Sequence, residues 1–292
     1  MYKAFSQDEK NNGFLKLQNH IKEATTNNKP FFIGRLSGNE TRLVGLCLAN
    51  KDYKHMIPIV KNCSGIHITS LQSLQTYFKA YMKSVHHCNL LGVWDKLMYR
   101  QCEDFYNYFH KNIKKDTIPA ESMELFYYLE HPVYELYKYF KNKRILVITS
   151  HSETIKPQLS KVDYIFNDKK IFNNNTFILL KPPVTLAGNH NNQDWTIPFK
   201  TFLEKINILK NDFDIAFVSC GGYGMPTCDY IYSTLEKSCI YNGGVQQLYF
   251  GIHGKRWENN TTLQKYINPY WVHVKEQDKP KNYEKLENGC YW

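Results

Sequence analysis

The sequence predicts an α/β protein with a Rossmann-like, doubly wound and mostly parallel sheet. Two observations carry this. Short, nearly continuous apolar runs in the second half of the chain have the character of strands buried on both faces of a sheet. Turns such as Ser150–Glu153 and Cys220–Gly224 end these runs and lead into sequence of helical period, so strand, turn and helix alternate.

The elements follow in order. Residues 8–28 carry Phe14, Leu17 and Ile21 at helical spacing, and Asn27–Pro30 ends that helix. Phe31–Gly34 is a short strand, Arg35–Glu40 a turn, and Thr41–Ala49 a second helix. Residues 70–140 read as helical and strongly aromatic, with stops at Pro119 and Pro132; we expect a helical subdomain within a single domain spanning 1–292. Its aromatic helices are candidates for an acceptor-side subdomain or a homodimer face. Arg144–Thr149 is the first strand of the second half, followed by Ser150–Glu153 and a helix through Leu159. Phe177–Leu180 is a strand followed by Lys181-Pro182-Pro183, and Trp195–Leu209 is a helix. Asp214–Ser219 is a strand ending in Cys220–Gly224, with a helix to about Lys237; Ser238–Tyr241 is the last strand, closed by Asn242–Gly244. The tail after Pro269 is weakly patterned.

Charge and cysteine content narrow the function classes. There are 37 Lys and Arg against 27 Asp and Glu, a net charge of +10, but no run of five or six consecutive basic residues. The densest group, Lys111–Lys115, reads as a helix end. With no helix-turn-helix, RNA-recognition or zinc-module signature, nucleic-acid binding is not expected. The eight cysteines show no CxxC or Cys/His zinc spacing. No apolar h-region opens the sequence, and no run of about 18 apolar residues spans a bilayer. A cytoplasmic protein with reduced thiols is expected, in which the sequons at Asn174 and Asn260 carry no glycan.

Four corners carry the chemistry. Gly221, Gly222, Tyr223 and Gly224 follow a hydrophobic strand and open a helix, an arrangement suited to a diphosphate because the first helical N–H groups face the ligand. It is neither a spaced GxGxxG nor a P-loop. Ser150-His151-Ser152-Glu153 lies at another strand end, where Ser150 or Ser152 is a helix cap and His151 a base or phosphate contact. Arg35–Glu40 offers a bidentate guanidinium and one carboxylate. Gly243–Trp257 (GGVQQLYFGIHGKRW) places Lys255 and Arg256 beside glycine turns, suited to an anionic leaving group, with Trp257 able to stack on a base or sugar.

Together Ile33–Glu40, Arg144–Gln158, Lys181–Trp195, Asp214–Gly224 and above all Gly243–Trp257 resemble glycosyltransferases of the GT-D fold type and their uncharacterised relatives in polysaccharide loci and large viruses. The resemblance covers about residues 31 to 258. It implies a GT-D-like domain that transfers a sugar from a nucleotide-diphosphate sugar to a glycan or other acceptor hydroxyl, in the cytoplasm (the host's, for a viral protein). It implies nucleotide-sugar binding by Arg35, Gly38, Ser150, Lys181, Gly221, Gly222, Tyr223, Gly224, Gly243, Gly244, Gln246, Lys255, Arg256 and Trp257. It also implies Mn²⁺ or Mg²⁺ at an Asp-x-Glu pair. Here Glu40 is present but the Asp position is Gly38, and one carboxylate holds a divalent ion poorly. Pro-Phe, expected after the serine of the second corner, is replaced by His151-Ser152.

Negative charge builds on the diphosphate as the sugar leaves, and Arg35, Lys181, Lys255 and Arg256 are the cations available to offset it. Glu40, His151, Glu153 and Asp194 are the candidate bases for the acceptor hydroxyl. The alternative is a non-catalytic nucleotide- or glycan-binding protein on the same fold, to which the missing carboxylate at Gly38 points.

Overall fold

Short strands buried along most of their length decide the architecture. The computed structural model describes residues 4–95, 100–167 and 169–292. Its strands are β1 (Phe32–Arg35), β2 (Leu90–Val93), β3 (Thr117–Pro119), β4 (Arg144–Ile148), β5 (Thr176–Leu180), β6 (Ile215–Val218) and β7 (Ser238–Tyr241). They form one seven-stranded sheet in the order β3-β2-β1-β7-β6-β4-β5, with every pairing parallel. The expected α/β class and parallel sheet are both present.

Each strand feeds two cores. Ile33, Ile145, Val147, Phe217 and Ile240 point to one face, where they meet Phe14, Leu17 and Ile21 of the Gln7–Thr26 helix and Leu248 and Phe250 of a 3₁₀ segment. Phe32, Leu146, Ile148, Ala216 and Cys239 point to the other, against the helices Gly38–Leu48, Leu71–His87, Glu103–Asn112, Thr196–Ile208 and Gly224–Ser233. Helices on both faces are what a doubly wound sheet requires, since neither face of an all-parallel sheet tolerates water. The first helix starts at Ser6, whose hydroxyl accepts from the Glu9 N–H at 3.2 Å while the Glu9 carboxylate accepts from the Ser6 N–H at 2.7 Å.

Residues 70–140 differ from expectation. The segment does hold the Leu71–His87 and Glu103–Asn112 helices, but it also supplies β2 and β3, which extend the sheet outward from β1. β3 was hidden because it ends in Pro119, which an edge strand accepts because it has no ladder partner to lose on its outer side.

Because all strands run the same way, the loops leaving their carboxyl ends open on one edge. The chain moves outward from β1 to β3, crosses to β4 and β5, and returns inward through β6 to β7, which pairs with β1. The connections after β1, β4, β5, β6 and β7 are thereby brought together, at the edge where ligands bind in such sheets. All eight cysteines are free thiols, five of them buried. Among the described residues no helix is long and apolar enough to cross a membrane.

Candidate functional site

A cleft of about 390 Å³ lies at this carboxyl edge. Of the residues singled out in the sequence, Arg35, Gly38, Glu40, Ser150, His151, Gly221, Tyr223, Gly243, Gly244 and Arg256 line it. All four corners therefore reach one cavity.

Arg35, the last residue of β1, is the best-defined charge in the cleft. Its stem passes Gly92, where a Cβ would stand 3.3 Å from Arg35 Cγ, and its guanidinium lies 5.3 Å from the ring centre of Trp94. That indole is fixed by a hydrogen bond from its Nε1 to the Leu36 carbonyl at 2.8 Å. On the opposite side Gly243 has φ +61°, and a Cβ there would stand 2.5 Å from Arg35 Nη2. Only glycine lets β7 turn this close to the guanidinium. Arg35 Nη1 is buried with no hydrogen-bond partner, and Arg35 makes none of the ion pairs among the described residues. Arg35 is half-buried, and its charge reaches the Glu124 carboxyl, which burial raises and Arg35 draws back down; the unpartnered guanidinium N–H still favours an anionic acceptor.

Glu40 sits in the first turn of the Gly38–Leu48 helix and is 4% exposed. Burial first, and the Glu40 carboxylate second, push the phenols of Tyr77, Tyr81 and Tyr241 up from their ordinary value. Two of these phenols hold the glycine turn after β6. Tyr241 donates to the Gly221 carbonyl at 2.9 Å and Tyr77 to the Gly222 carbonyl at 3.0 Å. Gly222 and Gly224 are packing glycines, since a Cβ would come within 2.4 Å of Ile66 and 2.1 Å of the Tyr241 ring.

The corner after β4 is built differently from expectation. The amino end of the Ser152–Gln158 helix is already capped by Asp278, from the tail that the sequence left unpatterned. The fully buried Asp278 carboxylate accepts from the Thr154 N–H at 2.7 Å, the Thr154 hydroxyl at 2.8 Å and the Glu153 N–H at 3.3 Å. It also pairs with Lys181 at 3.5 Å. Lys181 is thus engaged by an internal anion, and it does not line the cleft; the Glu153 side chain is exposed and does not line it either. His151 does line it. Burial, with Lys181 adding to it and Asp278 opposing it, lowers the imidazole to about 4, so it is neutral at physiological pH. Its Nε2 is buried and unpartnered.

The fourth corner divides in two. Gly243, Gly244 and Arg256 reach the cleft, whereas Gln246, Lys255 and Trp257 do not line it. Gln246 is buried and its Nε2 donates to the Ile148 carbonyl at 2.9 Å, tying the 3₁₀ segment to β4. Lys255 is exposed. Trp257 is 6% exposed and meets the Tyr291 ring edge-on at 5.9 Å, a core position. Arg256 stacks over Tyr291 at 5.1 Å, donates to its hydroxyl, and lies 3.5 Å from Glu287. Asp194 is elsewhere: it accepts from the Thr69 and Thr196 hydroxyls at 2.6 and 2.7 Å. Against burial, which raises it, such hydroxyl contacts hold its carboxyl at about 2.

The site residues that the sequence did not flag are Trp94 and the tail residues Asp278, Glu287, Tyr291 and Trp292. The only local signal was the aromatic pair Tyr291-Trp292 within a polar tail. As for a divalent metal, no three His, Cys, Asp or Glu side chains converge among the described residues. Two carboxylates line the cleft, Glu40 and the Glu287 that pairs with Arg256, and two arginines line it as well. The residues present therefore do not make a divalent-ion site of ordinary kind.

Comparison with protein-family models, with curated proteins and with solved structures gives no match. The GT-D likeness accordingly rests on the motifs of the chain itself.

Proposed function

We propose that the cleft binds a nucleotide-diphosphate sugar and that the protein is a glycosyltransferase, passing the sugar to a hydroxyl of a glycan or similar acceptor. The observation that carries this reading is Arg35. It is a part-buried cation with an unpartnered Nη1, placed among glycine turns at the carboxyl edge of a parallel sheet. A diphosphate supplies the acceptor that Nη1 lacks, and bidentate geometry suits phosphate oxygens.

In the transfer the bond between the anomeric carbon and the diphosphate oxygen breaks, and the diphosphate gains charge. Arg35, with Arg256 once it exchanges Glu287 for the ligand, offsets that charge in a partly desolvated cleft. The acceptor oxygen forms the new bond and its proton goes to a base. Glu40 and His151 are the candidate bases that line the cleft. Glu153 is exposed and Asp194 is committed to Thr69 and Thr196.

The test is a panel of UDP-, GDP- and dTDP-sugars, with and without Mn²⁺, read by thermal unfolding and by sugar release. One donor is expected to raise the melting temperature by roughly 5–10 °C at about a hundred times its Kd and to be turned over. No protection and no release by any donor overturns the proposal. The second reading, a non-catalytic binder, is favoured by Gly38 at the Asp position. It predicts binding without release, unchanged in Glu40→Gln.

A further inference from the structure

Eight buried side-chain atoms lack a hydrogen-bond partner among the described residues, and three of them belong to residues of the cleft: Arg35 Nη1, His151 Nε2 and Trp292 Nε1. Unpaired polar atoms are rare inside proteins because each forfeits its hydration. Three around one cavity therefore point to a ligand that completes them. Arg35 calls for an anion, but the other two do not.

We infer that Trp292 and His151 form a subsite for a neutral, hydroxyl-bearing ring, the sugar half of the donor. An indole N–H only donates, while a neutral imidazole nitrogen accepts or donates according to tautomer. A hydroxyl accepts and donates at once, so a single hydroxyl or a neighbouring pair satisfies both groups. His151 is 6% exposed and held neutral by burial, which suits an uncharged partner.

The two rings are held by their neighbours. Trp292 meets His151 at 6.3 Å between ring centres and 63° between planes, leaving an angled wall rather than a closed stack. Tyr283 and Tyr291 pack on the indole at 5.9 and 6.0 Å. The His151 backbone is fixed by its N–H to the Thr149 hydroxyl at 3.0 Å and by its carbonyl, which accepts from Ile155 at 2.9 Å. Such preorganisation lowers the entropy cost of binding.

This inference rests on the diphosphate reading, and the two can fail separately. Wild-type protein, Trp292→Phe and His151→Phe are titrated calorimetrically with UDP and UDP-glucose, GDP and GDP-mannose, and dTDP and dTDP-glucose. Trp292→Phe keeps the ring and deletes the N–H. For the pair that binds, each variant should weaken the nucleotide sugar by about fivefold or more while the matching nucleoside diphosphate changes less than twofold. Equal weakening of both ligands, or of neither, overturns the sugar subsite and leaves the diphosphate reading standing. If no nucleoside diphosphate binds wild-type protein, both fall. A melting temperature near wild type for each variant excludes misfolding as the cause.

Discussion

The two flanks of the cleft use charge in opposite ways. On the β1–β7 flank Arg35 makes no direct ion pair among the described residues and is wedged between Trp94 and Gly243, with its charge felt by the Glu124 carboxyl. On the β4–β5 flank an anion is built in: Asp278 caps the Ser152–Gln158 helix and pairs with Lys181. Judged from the sequence, both flanks offer a helix end and a cation to a phosphate. Folding leaves that role to one of them. A helix amino end already holding a buried carboxylate has little left for a second anion, because its N–H groups are spent and the added charge is repelled. On the proposed function the ligand's anion therefore belongs at Arg35, and the β4–β5 flank is left with the neutral His151.

Removing the built-in anion tests this contrast with the largest expected effect. Asp278→Ala leaves the Thr154 and Glu153 N–H groups and the Thr154 hydroxyl without their acceptor, and we expect a loss of about 3–4 kcal/mol. Urea unfolding measures it through the midpoint. An unchanged midpoint would mean that the flank is not internally satisfied, and would return it as a place for the ligand's phosphate.

The pH dependence of stability sharpens the same contrast. His151 is lowered from its ordinary 6.5 to about 4, chiefly by burial. As pH falls from 6.5 toward 4 the unfolded chain takes up this proton and the folded chain does not. The stability that His151 contributes above 6.5 is therefore lost across that window, by on the order of 2–3 kcal/mol. His151→Phe should flatten the acid limb of stability against pH by that amount relative to wild type. An unaltered limb would show that His151 is hydrated and protonates in place.

Local features of this fold were legible in the sequence and distant ones were not. β4, β6 and β7 could be read because strands buried on both faces need continuous apolar runs, and Ile145–Ile148 and Ile215–Val218 supply them. The glycine turns after β6 and β7 announced a cavity edge for the same reason: a chain reversal close to another backbone needs glycine there. Asp278 could not be read, because its partners Thr154 and Lys181 lie 124 and 97 residues away and nothing around it forms a periodic pattern. Trp292, set against His151, was hidden in the same way. Trp257 shows the converse. An indole beside two cations suggests stacking on a ligand, but its apolar surface is better placed in the core against Tyr291.

The central claim, that the cleft takes a diphosphate through an otherwise unpaired arginine, is tested most directly at Arg35. Calorimetric titration of wild type and Arg35→Ala with UDP, GDP and dTDP, beside the melting temperature of each protein, is the decisive measurement. The account predicts that at least one nucleoside diphosphate binds wild type. Arg35→Ala is predicted to cost about 1.5–3 kcal/mol of that affinity, roughly 10- to 150-fold, with a smaller effect on melting temperature, because Arg35 makes no direct ion pair among the described residues and loses only its contact with the Trp94 ring and its attraction to Glu124. Equal affinity in the two proteins, or a variant that loses its fold along with its ligand, would contradict it.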